Sequence, residues 1–187
     1  MKEGIYYRCI NDFLDNNKNS TGKKLLLVAE YTNFELELLE KYQGELAGAI
    51  VPFIVYNEEY FNKGVISCDL DEDNDFFLVE DLSNFTIEQS FFKQSKSLVV
   101  LVDGLSSYIT DFLDSLFQNT PENSQIIGGG AGKMTFEREP VIFTKYKILK
   151  DAAIIITLNK RLSLGIQNGW EYLEGPFLTT SSQKNIL

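Results

Sequence analysis

Histidine is absent from the sequence. That removes the commonest general base, the commonest metal ligand and the side chain that switches charge near neutral pH. A Ser-His-Asp or Cys-His hydrolase is thereby excluded. Cysteine is scarce as well. Cys9 and Cys68 lie in separate segments, too few for an all-thiolate zinc site, and in an acidic cytosolic chain they read as reduced thiols. No run approaches the roughly 18 apolar residues of a membrane-spanning helix, and Met1 to Leu14 lacks the charged-then-apolar layout of a signal peptide. A cytoplasmic location is therefore expected. Positive charge is the last shortage: 17 Lys and Arg face 27 Asp and Glu, a net charge of −10. Nucleic acid and anionic membrane attract basic patches, so neither is an expected partner.

What is present describes a globular protein. The 187 residues are 44% hydrophobic and 13% aromatic, enough for one domain, 1–187, with a sizeable core. After a short amphipathic N-terminal segment and the turn-rich NNKNSTG, Lys24 to Tyr31 (KLLLVAEY) predicts a strand. Asn33 is the expected N-cap of a helix that Gly44 stops, with Glu35 and Glu37 in its first turn. Leu46 to Tyr56 is apolar without alternation, as in a strand buried on both faces, with Pro52 demanding an edge or a bulge. A hairpin through Asn57–Lys63 to Gly64–Cys68 is expected next. Thr86 is the expected N-cap of a further helix, Ser97 to Val102 gives a buried strand ending at Asp103-Gly104, and Ser106 to Phe117 a helix with Tyr108, Phe112 and Leu116 on one face. Gln125 to Ile127 reads as a short strand, followed by β-rich runs at Pro140–Thr144, Asp151–Leu158 and Leu164–Asn168. The fold class is α/β, mixed α+β: a sheet with parallel and antiparallel pairs, or two stacked sheets, covered by helices. No internal repeat is evident.

Four features carry chemistry. The segment GGGAGK suggests a phosphate loop, but Met134 stands where the P-loop requires Ser or Thr, and MTFEREPVIF is strand-like where a helix is required. The same lack defeats a dinucleotide reading. What survives is close backbone approach at a strand end by Gly128, Gly129, Gly130 and Gly132, either to a small ligand or to another strand. Asp69, Asp71, Asp73, Asp75 and Glu80 have the carboxylate spacing of a calcium loop, yet Asn74 replaces the required glycine and a strand precedes the run; a solvated acidic hairpin tip is expected. Asp103 ends a buried strand, where functional side chains collect, although it also suits capping of the following helix. Asn168-Gly169-Trp170 follows a β run and offers the single tryptophan, a pocket wall or a core filler.

A family resemblance rests on the C-terminal half. A strand enters IIGGGAG, an interval holds VIF, and DAAIIITL precedes LGIQNGWEYLEGPFLTT. This order resembles the N-terminal part of the FIST domain, named for F-box and intracellular signal transduction proteins. Its glycine step falls on Gly128 to Gly132, and its G-x-x-x-G-W element, further glycine and threonine fall on Gly165, Gly169, Trp170, Gly175 and Thr179. The likeness spans about Lys24 to Thr180. It implies a cytoplasmic sensory module that binds small metabolites such as amino acids and is joined to a signalling output domain. Asn168 stands where the family often has histidine. The family's C-terminal companion is missing and the chain ends abruptly in TTSSQKNIL, so a fragment of a longer signalling protein is expected.

The expected function is non-catalytic: a ligand-binding sensor without a cofactor. Asp103 accepts from an ammonium group, the Gly128–Gly132 amides and Lys133 hold a carboxylate, and Trp170, with Asn168 and Gly169, closes the apolar side. The rivals are a protein-docking module using its 24 aromatic residues, and, behind it, a carboxylate enzyme with Asp103 as base.

Overall fold

The structure is a computed structural model, and it describes residues 3–92 and 95–165. The apolar runs form the strands of two main sheets. The first has six strands in the order β1 (Ile5–Tyr7), β6 (Val65–Leu70), β2 (Lys23–Ala29), β3 (Leu46–Val51), β10 (Ile142–Thr144) and β11 (Ile148–Leu149). The second has four, β7 (Asp75–Val79), β12 (Ala153–Leu158), β8 (Ser97–Asp103) and β9 (Gln125–Ala131). Among the described residues, only the β2–β3 and β8–β9 pairs are parallel. Each of these pairs is a βαβ unit, joined by α2 (Leu36–Leu39) and α3 (Ile109–Asn119) respectively. The remaining helix, α1 (Ile10–Asn16), lies against β1 and β6 and contacts α2.

Side-chain alternation shows how the sheets stack. Val99, Leu101, Ile154 and Ile156 join a core with residues of the first sheet, among them Ala47, Ala49 and Phe143. Their neighbours Leu98, Val100, Val102, Ala153 and Ile155 pack instead with Phe112 and Leu116 of α3, and with Leu82, Ile87 and Phe92. The second sheet is thus buried on both faces, which is why β8 and β12 are apolar at successive positions. The α/β class holds, in its two-sheet form.

Several expected elements differ. The run Leu46 to Tyr56 is not one strand. It breaks at Pro52, which lacks the amide a ladder needs, and β4 (Ile54–Tyr56) leaves to pair with β5 (Glu59–Phe61) in a small separate sheet. The returning strand β6 then pairs with β2 and β1 rather than with β3. Thr86 starts no α-helix; only a 3-10 turn forms at Gln89–Phe92. Asn33 does not cap α2, since its amide donates to the Glu35 carboxylate at 2.9 Å, and α2 is a single turn. Tyr108 stands exposed at the N-terminal edge of α3, off the buried face. The acidic run links β6 to β7 across the two sheets, and its charges are met by Lys23 on Asp75 and Lys160 on Asp71. Leu164 and Gly165 have no regular structure, and the rest of the expected Leu164–Asn168 strand lies outside the described residues.

Candidate functional site

The glycine segment is not a loop. Gly128, Gly129 and Gly130 belong to β9, opposite Val100, Leu101 and Val102 of β8. A Cβ at Gly128 would run into the Val100 carbonyl oxygen, so this position admits only glycine. At Gly130 a Cβ would lie 3.1 Å from the Gly104 Cα, and the β8–α3 turn closes onto β9 through that contact. For these two, close backbone approach is to another strand and to a turn. Gly129 is different, because a Cβ there meets nothing within 4 Å. Gly132 donates its amide to the Ile50 carbonyl at 2.9 Å and ties β9 to the end of β3.

The edge of β9 has a definite polarity. Gln125 N–H donates to Lys96 at 3.0 Å, and Gly104 N–H donates to Ala131 at 2.8 Å. Backbone groups alternate in direction along a strand, so Gln125, Ile127, Gly129 and Ala131 bond toward β8. Those of Ile126, Gly128 and Gly130 point to the other side, where no further strand lies among the described residues. Above this edge, an apolar groove of about 360 Å³ runs between β9 and α3, walled by Ile109, Leu113 and Ile126.

Asp103 is 3% exposed, and both its oxygens accept backbone amides. Leu105 donates to one at 3.1 Å and Asp151 to the other at 2.7 Å. The structure therefore uses Asp103 to hold the β8–α3 turn and the entry to β12. Asp151 adopts a left-handed φ of 49° and its carboxylate accepts from the Ser106 hydroxyl at 2.7 Å and the Arg138 guanidinium at 2.5 Å.

Lys133 lies in a different place from Asp103. It lines a cleft of about 300 Å³ at the C-terminal ends of β2 and β3, with Glu30, Thr32, Phe34 and Ile50 on one side and Glu139 and Pro140 on the other. Lys133 is paired with Glu139, and its hydrogen bond holds the Glu139 carboxyl below the usual carboxylate range. Glu30 accepts the Met134 amide at 2.7 Å. Thr32 is buried and exchanges hydrogen bonds with the Gly64 backbone at 2.8 and 3.0 Å. The expected site is thus divided: Gly128, Gly129 and Gly130 are on β9 and Gly132 just past its end, Asp103 sits inside the turn, and Lys133 faces the cleft. Asn168, Gly169 and Trp170 lie outside the described residues. Sequence reasoning missed Glu30, although it stands at a strand end by the logic applied to Asp103. Glu139 carries no local signal.

Two stacked mixed sheets and two parallel βαβ units define an α/β domain, with a polar cleft at the ends of one parallel strand pair. Comparison with known families gives the name. The model of the FIST N domain matches residues 25–187, and the chain belongs to that family. It is thus a signal-transduction-associated domain. Among curated proteins no match is found. Among the described residues no helix is long and apolar enough to cross a membrane.

Proposed function

We propose that the protein is a non-catalytic sensory domain of a cytoplasmic signal-transduction protein, that it binds a small metabolite of the amino-acid class in the β2–β3 cleft, and that it passes this state to an output domain. One observation carries the reading: an ammonium, Lys133, and two carboxylates, Glu30 and Glu139, converge on one cleft at the ends of a parallel strand pair. Ligands of open α/β sheets collect at such ends, and the cleft is at the lower limit of the about 300–1,000 Å³ common for small-ligand sites. Lys133 suits a ligand carboxylate, the glutamates suit an ammonium group, and Phe34 and Ile50 supply an apolar wall. Asp103, the acceptor expected from the sequence, gives way to Glu30 and Glu139 in this reading because backbone amides occupy both of its oxygens, whereas the Met134 amide takes one oxygen of Glu30.

A thermal-shift screen with the L-amino acids tests the proposal. A ligand at a hundredfold excess over its dissociation constant adds about 2.7 kcal/mol to native stability. A rise in melting temperature that disappears in Lys133→Gln supports the reading. If no amino acid shifts the transition at millimolar concentration, it fails. The docking-module alternative draws on the β3–β5 region, where Phe53, Val55 and Tyr60 are more than half exposed. A protein retrieved by the native domain, but not after Tyr60→Ser, would favour that alternative.

A further inference from the structure

The segment from Gly132 to Pro140 carries the chain from β9 in the second sheet to β10 in the first, and it forms one wall of the cleft. Polar contacts hold it. The Gly132 amide donates to Ile50, the Met134 amide to Glu30, Lys133 pairs with Glu139, and Arg138 with Asp151. Its large apolar side chains are not used as anchors, since Met134 is 55% and Phe136 70% exposed. Phe136 also adopts a φ of 55°, a left-handed conformation that is costly for a bulky aromatic. An aromatic ring that is both strained and in water gains nothing from this position. Lys133, Glu139 and Pro140 of the segment line the cleft, and a backbone rearrangement that carries Phe136 inward relieves both penalties.

We infer that the 132–140 segment is a lid that an α-amino acid closes. The inference rests on the reading of the cleft as a ligand site. In the open form, Lys133 and Glu139 neutralise one another. An entering zwitterion exchanges this one pair for two: its carboxylate takes Lys133, and its ammonium takes the released Glu139. Lys133 and Glu139 each keep a partner of opposite charge, while Glu30 stays on the Met134 amide. The move of Glu139 draws the preceding turn inward and brings Phe136 over the apolar wall. Arg138 carries the displacement further, because Asp151 is bonded to Ser106 and, through its amide, to Asp103 at the β8–α3 turn. Ligand state in the first sheet thereby reaches the second.

The test is amide hydrogen exchange on the full chain with each L-amino acid that raises the melting temperature. Exchange across 132–140 is expected to slow about tenfold on binding. Phe136→Ala is expected to fold normally, because the ring is exposed, and to weaken binding about fivefold with loss of that protection. Binding that requires Lys133 without any slowing of exchange across 132–140 overturns the lid and leaves the sensor reading intact. Unchanged affinity in Phe136→Ala overturns it equally. If no amino acid binds, the lid and the sensor reading fall together.

Discussion

Three adjacent glycines invite a single explanation, and the structure gives three. Gly128 is pressed on β8, Gly130 on Gly104, and Gly129 on nothing. Gly128→Ala is expected to destabilise by about 1–3 kcal/mol, as overpacking does. Gly129→Ala is expected to be neutral or to stabilise by up to about 1 kcal/mol, because it removes freedom from the unfolded chain alone. Urea denaturation of the pair measures both. Asp103→Asn keeps a single acceptor oxygen for two amides, and a loss of about 1–3 kcal/mol is expected in the same measurement. Asp71 offers a pH test. The Lys160 ammonium, hydrogen-bonded to it at 2.8 Å, holds its carboxyl down from 3.8 to about 2. A folded-state value below the unfolded one stabilises the native state above the unfolded value, and that contribution is lost as pH falls through about 2. An NMR titration should find the low value in the native protein and a return toward 3.8 in Lys160→Gln.

At the scale of elements, what the sequence makes legible is burial on two faces. β2, β8 and β12 announce themselves by unbroken apolar runs, and α3 by Phe112 and Leu116, both fully buried. Phe112→Ala is expected to cost about 3–5 kcal/mol, read from the shift of the denaturation midpoint. Less visible elements are hidden for identifiable reasons. β9 continues through three glycines that have no β propensity of their own and are held by β8. β6 lies between β1 and β2, and such long-range pairing leaves no mark on local pattern. The same holds for the cleft. Lys133 was recognisable from its glycine-rich approach, whereas Glu139 reaches it from the far side of the turn at Phe136, whose left-handed backbone no propensity announces.

For the whole molecule, the two βαβ units carry a parallel that their sequences conceal. Gly48 in β3 sits against the Leu26 carbonyl of β2 as Gly128 in β9 sits against Val100 of β8. Each parallel pair is closed by one obligatory glycine, and the cleft opens at the end of only one of them. The order of strands in the second sheet has a kinetic consequence. β12 is the last strand along the described chain, yet it lies between β7 and β8 and pairs with both. Until residues 153–158 leave the ribosome, β7 and β8 have no partner between them, and their exposed edges are the groups most prone to pair with other chains. Closure must wait for a segment far from its neighbours in sequence, which places refolding in the slow, high-contact-order regime of about milliseconds to seconds. Synthesis therefore passes through a stage at which most of the core has been made and β8 can pair with β9, while β7 has no place in the second sheet.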